Sequence, residues 1–232
     1  MKLTDEIRNK YFDRPLDTNL WKASYEYTAL AALKYVDNKK YKHLYHADAP
    51  DLRDDVNSVG IEVTEAIDPK RARTVGEMLK YQKCTRESDK LKCREKIYEY
   101  AEDFDKYGAV FPDRYPYHEQ EEIVAAFQNK LQKIKSYRAN GFKRLGLLIY
   151  MKERIFMEGC RCFDEWLRDA QKDTLEKFDF VYILHLDGLL YYDFSTGEKK
   201  HVTIPWEDGE ALLKLGRMAA EGEVADDNPI WG

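Results

Sequence analysis

The stretch Val59-Gly60-Ile61-Glu62-Val63-Thr64-Glu65-Ala66-Ile67 constrains this chain more than any other. Its β-branched residues recur at alternate positions, the pattern of a strand. Glu62 sits in the middle of that apolar run. A carboxylate in a strand core is costly to desolvate unless something pairs with it. Just upstream, Pro50-Asp51 opens a turn-rich segment that ends at Ser58 and supplies a second acid. A divalent cation shared between Asp51 and Glu62 would satisfy both. A plainer alternative follows from strand alternation, which puts Val59, Ile61 and Val63 on one face and Glu62, Thr64 and Ala66 on the other. Glu62 and Thr64 would then line the solvated face of an edge strand, and Asp51, Asp54 and Asp55 would belong to an ordinary turn.

Other segments fill in an α/β frame. Residues 19–37 carry an apolar face at helical spacing, including Trp21, Tyr25, Ala29, Leu30, Leu33 and Val36. Glu26 falls between Leu30 and Leu33 on that wheel. It either snorkels from the edge of the stripe or aims a carboxylate at an interior site. Residues 41–47 read as a first strand. A second helix over 119–138 has the stripe Ile123, Phe127, Leu131 and Ile134, with Lys130 flanking the buried side, Lys135 on the opposite edge and Lys133 further out. Asn140-Gly141 ends it. The continuous apolar run Leu145 to Tyr150 reads as a central strand, followed by a helix over 152–171.

Phe178 to Leu186 and Leu189 to Phe194 form a hairpin around Asp187-Gly188. A strand near His201 to Ile204, a helix over 208–221 and a polar tail complete the chain. Residues 70–118 are charged and mostly helical, with a Pro/Tyr-rich loop near Phe111 to Pro116. They read as a helical insertion within one α/β domain spanning 1–232. The class is α/β: a mixed sheet flanked by helices, with a C-terminal β-meander.

The length of 232 residues and the hydrophobic fraction of 44% permit a full core. The net charge of −5 gives no global attraction to nucleic acid, although a local basic groove is compatible with it. The start of the chain lacks the apolar segment of a signal peptide, and no run is long enough to span a membrane. A cytoplasmic location is therefore expected, with no membrane partner. It accords with four cysteines read as free thiols. A zinc site from Cys84, Cys93, Cys160 and Cys162 is the competing reading, although their spacing is not that of a zinc knuckle. His46, His118, His185 and His201 show no ligand spacing, and there is neither a nucleophile elbow nor a phosphate-binding glycine loop.

Pro50-Asp51 followed by Glu62-Val63-Thr64 inside an apolar strand resembles the motif of the PD-(D/E)xK nuclease superfamily. The helix before the motif, and the helix and apolar strand after it, are similar to that superfamily's αβββαβ core. The likeness covers residues 19–67 and 119–150. It implies a restriction-endonuclease-like fold and hydrolysis of phosphodiester bonds in DNA or RNA, in defence or repair. It also implies Mg²⁺ or Mn²⁺ held by Asp51, Glu62 and the backbone carbonyl of Val63, since hard cations take oxygen ligands. Glu26 resembles an additional acid near the metal. The motif's lysine position is occupied by Thr64, so Lys130 from the second helix is the candidate to orient the attacking water or stabilise charge on phosphorus. The Lys130, Lys133, Lys135, Arg138, Lys143 and Arg144 stretch is either a phosphate-facing surface or plain solvated surface. The Thr64 departure keeps a second reading open, a catalytically inactive member of the fold that binds protein or nucleic acid.

Overall fold

The computed structural model describes residues 3–105, 109–111, 119–151, 155 and 157–231. Its elements in chain order begin with α1 (Asp5–Arg8), α2 (Trp21–Val36), β1 (Tyr45–His46), β2 (Leu52–Asp54) and β3 (Val59–Glu65). Next come α3 (Pro69–Lys83), α4 (Glu87–Tyr98), β4 (Asp103–Phe104) and β5 (Ala109–Val110). After these stand α5 (Glu119–Leu131), α6 (Ile134–Ala139), β6 (Arg144–Tyr150) and α7 (Met157–Ala170), then β7 (Phe180–His185), β8 (Gly188–Asp193), β9 (Lys199–Thr203) and α8 (Trp206–Ala220). Contacts divide the chain into two units, residues Met1–Ala66 with Glu119–Gly232, and residues Ile67–His118.

The larger unit is an α/β structure around a seven-stranded mixed sheet in the order β1-β2-β3-β6-β7-β8-β9. β1, β2 and β3 pair antiparallel, β3–β6 and β6–β7 pair parallel, and β7, β8 and β9 form an antiparallel meander. The parallel pairs need crossover connections, and α5–α6 and α7 lie in those connections. β3, β6 and β7 are therefore interior strands, covered on both faces, which explains why Leu145 to Tyr150 reads as a continuous apolar run. On one face Ile61, Val63, Leu148 and Tyr182 pack with Leu30 and Leu33 of α2 and Leu212 and Leu215 of α8. On the other, Leu145, Leu147 and Ile149 pack with Ile123 and Phe127 of α5 and Phe163 and Leu167 of α7. Each such aliphatic side chain contributes about 1.5–3 kcal/mol on burial, so both helical layers are fixed to the sheet by apolar contact.

Several local expectations need correction. The first strand is confined to Tyr45–His46, because residues 39–43 form turns. The second long helix breaks at Gln132 and Lys133 and resumes as α6. The hairpin turn is Leu186-Asp187, one residue earlier than expected, since Gly188 pairs with His185. A side chain at Gly188 would stand 2.8 Å from His201 Nε2 and 2.9 Å from His185 Nε2, so the glycine admits two imidazole rings rather than making the turn. The helix expected from 152 is described from Met157, and its expected first residues lie outside the described residues, as do Pro112 to Pro116 of the Pro/Tyr-rich loop and His118.

The smaller unit is not wholly helical. α3 and α4 pack together, and β4 and β5 form a two-stranded antiparallel pair. Asp68 caps α3 by accepting the Arg71 N–H, and Pro69 occupies the first turn, where no amide donor is needed. Met78, Ile97 and Ala101 form its small core. Among the described residues no helix is long and apolar enough to cross a membrane.

Candidate active site

Glu62 lies at the centre of β3, between β2 and β6, and is 1% exposed. This overturns the edge-strand alternative: Glu62 faces the α5–α6 layer, not solvent. Its carboxylate is held by three side chains from that layer. Lys130 Nζ donates to Oε1 at 2.7 Å, Lys133 Nζ donates to the same oxygen at 2.5 Å, and the Tyr137 hydroxyl donates to Oε2. A buried carboxylate with two ammonium partners and a hydroxyl meets the requirement for charge burial. Burial and the neighbouring Glu62 both push the Tyr137 hydroxyl far above the ordinary tyrosine range, so it stays a donor.

Asp51 immediately precedes β2 and is 2% exposed. Its Oδ2 accepts the Val63 backbone N–H at 2.7 Å, and its own carbonyl accepts the Ala47 N–H at 2.8 Å. The close approach of this loop to β3 depends on Gly60, where a side chain would stand 2.6 Å from Pro50 Cγ and 3.0 Å from Leu145 Cδ2. In an antiparallel ladder the N–H and C=O of a residue point to the same side, so the Val63 carbonyl is directed to the side of Asp51.

Glu26 does not snorkel: it is 5% exposed on α2. Lys22, one turn earlier, lies 2.7 Å from Glu26 Oε1 and donates to Asp51 Oδ1 at 3.0 Å. His46 Nε2 stands 2.7 Å from Glu26 Oε2, and the imidazole stacks on Tyr27. Burial pushes the Asp51 carboxyl above its ordinary value, reinforced by the negative charge of Glu26. Burial alone would raise Glu26 too, but hydrogen bonds from His46 and Lys22 hold it below the usual carboxylate range. Lys133 is raised by Glu62 against the opposing effect of burial, and Asp51 acts on it in the same direction. Asp51 and Glu62 thus belong to one electrostatic cluster of three carboxylates and three ammonium groups.

The expected residues Glu26, Asp51, Glu62, Val63 and Lys130 all stand in this region, and Thr64 follows on β3, half-buried. Lys22, His46, Lys133 and Tyr137 join them unforeseen. Only Lys22 had a readable signal, the (i, i+4) spacing to Glu26. Among the described residues, no three His, Cys, Asp or Glu side chains converge as a metal-binding set. The four cysteines form no disulfide and none belongs to such a set, so the zinc alternative finds no structural support. The chain matches no known protein family, no curated protein and no solved structure.

Proposed function

We propose that this chain is a divalent-metal-dependent nuclease of the restriction-endonuclease-like type, acting on DNA or RNA in the cytoplasm, in defence or repair. The observation that carries the reading is Glu62: a carboxylate fully buried in an interior strand, next to the residue whose amide fixes Asp51 and in direct contact with Lys130. The order α2, β1, β2, β3, α5, β6 supports the same reading.

The donor set fits a hard cation. Asp51, Glu62 and the Val63 carbonyl offer oxygen only, the chemistry that Mg²⁺ and Mn²⁺ take. Lys22 and Lys133 cover Asp51 Oδ1 and Glu62 Oε1, yet their side chains are 66% and 40% exposed and can swing to solvent. When bound, the cation polarises the phosphate and acidifies water. The Val63 amide keeps Asp51 oriented throughout. Lys130, only 18% exposed, remains at the site to stabilise charge developing on the phosphate oxygens or to position the attacking water. Glu26, held by His46, keeps a second carboxylate beside Asp51.

One observation favours a second reading. Three ammonium groups on three carboxylates neutralise the cluster without any ion, which suits an inactive member of the fold that binds a partner instead. A calorimetric Mn²⁺ titration of the wild type beside Glu62→Gln decides between them. The nuclease reading expects binding by the wild type and at least tenfold weaker binding by the variant. No binding by the wild type, with or without a nonhydrolysable phosphodiester, overturns it.

A further inference from the structure

A second feature lies across the sheet from Glu62. A cavity of about 380 Å³ opens at the first residues of β3, β6 and β7, within the size range of small-molecule sites. Ile61 lines it, and strand alternation places Ile61 on the face opposite Glu62. Its walls combine aromatic rings and cations: Tyr41, Tyr182, Tyr191 and Phe180 with Lys40 and Arg144. Tyr182 and Tyr191 stack at 5.0 Å between centroids, and Tyr41 meets Tyr182 edge-on with the two hydroxyls 2.5 Å apart.

The charges are unequal. Arg144 lies over Phe180 and is paired with Asp193 at 2.6 Å. Lys40 has no carboxylate partner among the described residues. Its Nζ lies 4.8 Å from the Tyr191 ring centroid, 5.0 Å from that of Tyr41 and 6.0 Å from that of Tyr182. Burial holds its ammonium below the ordinary lysine value, and Lys200 and Arg144 push the same way, against pulls from Asp37 and Glu198. The one acid lining the cavity, Asp54, spends both oxygens on Asn57. A cavity with an aromatic wall and an unneutralised ammonium at its edge is complementary to a flat ring carrying an anion.

We propose that this cavity binds a nucleoside phosphate, with the base against the tyrosine rings and the phosphate at Lys40. The shared chemistry has two sources, a free mononucleotide and the phosphorylated end of a strand. The site is separate from the Glu62 cluster and stands whether or not that cluster is catalytic.

The test is calorimetric titration of the full chain with the four ribonucleoside 5′-monophosphates, with inorganic phosphate, with the four unphosphorylated nucleosides, and with a tetranucleotide bearing or lacking a 5′-phosphate. Wild type, Lys40→Ala and Glu62→Gln are compared, with circular dichroism checking that each is folded. The expected result is binding of at least one monophosphate or of the phosphorylated tetranucleotide, weakened tenfold or more by Lys40→Ala and unchanged by Glu62→Gln. Tighter binding of the phosphorylated tetranucleotide than of any monophosphate assigns the site to a strand end, and the reverse assigns it to the free nucleotide. Binding of inorganic phosphate or of a nucleoside as tight as that of the monophosphates overturns the proposal. So does no binding of any nucleoside phosphate, or binding that Lys40→Ala leaves intact.

Discussion

Glu62 and Asp193 are both buried acids on the same sheet, but they are satisfied in opposite ways. Asp193, at the end of β8, takes its donors from the turn it precedes: Ser195 Oγ at 2.5 Å, the Ser195 amide at 2.9 Å and the Thr196 amide at 3.0 Å. The Tyr191 hydroxyl and Arg144 complete the shell. Glu62 has no such local shell; its donors are the far ends of Lys130, Lys133 and Tyr137. Amides cannot leave without unmaking the turn, whereas a half-exposed lysine can exchange its carboxylate for water. Asp193 is therefore fixed as a structural element, whereas the lysine partners of Glu62 are exchangeable.

The largest effect expected from breaking this contrast is at Glu62. Replacement by Ala leaves the Lys130 ammonium and the Tyr137 hydroxyl without their buried partner. Removing one member of a buried ion pair costs about 3–5 kcal/mol. Because Lys133 can relax into solvent, the lower end of that range is expected in urea denaturation. Glu62→Gln keeps the shape and one acceptor and should lose less, on the order of 1–3 kcal/mol. Equal stability of Glu62→Ala and wild type would show that the lysine cluster does not form.

Asp193 sharpens the comparison through pH. Burial alone would raise its carboxyl, but the Ser195 hydroxyl and the Thr196 and Ser195 amides hold it well below the ordinary value of 3.8. A carboxyl depressed in the folded state contributes stability that is present above the unfolded value and lost as pH falls toward the folded one. Wild-type stability should therefore fall as pH drops below about 4. Asp193→Asn should be less stable at pH 7, by about 2–3 kcal/mol, with a shallower decline in acid. Parallel acid limbs for the two proteins would remove the turn from the account.

The frame was legible where side chains repeat with a period. The apolar run of β6, the β-branched residues of β3 and the stripes of α2 and α5 follow directly from burial on known faces. At the site, Glu62 could be singled out because a charge within a strand needs a partner. Lys133 and Tyr137 could not, because a helical wheel assumes an unbroken helix. The break at Gln132 and Lys133 resets the wheel and turns both residues toward β3. His46 was illegible for another reason: it reaches Glu26 from a two-residue strand whose placement depends on pairing with β2.

Gly60 tests whether the Asp51 loop is as fixed as its backbone contacts imply. The added methyl of Gly60→Ala must displace the Pro50 ring and press on the Leu145 side chain. Overpacking of this kind costs about 1–3 kcal/mol. If the shift moves Asp51 away from the Val63 amide, Mn²⁺ affinity should fall together with stability. A variant that loses stability but keeps its Mn²⁺ affinity would mean that Asp51 is not a ligand.

The smallest change in stability, and the most diagnostic in sign, is expected from Lys133→Ala. Its side chain is 40% exposed, and Glu62 retains Lys130 and Tyr137 without it. The loss should stay under about 1 kcal/mol, as for other partly exposed ion pairs. Under the nuclease reading Lys133 competes with the cation for Glu62 Oε1, so removing it should tighten Mn²⁺ binding severalfold. Lys130→Ala differs because Lys130 is the more buried of the two: it should cost more stability and abolish cleavage of a phosphodiester substrate while leaving metal binding in place. If instead both lysine variants destabilise the fold alike and neither changes Mn²⁺ affinity, the two ammonium groups serve only to neutralise a buried acid, and Glu62 is held as permanently as Asp193.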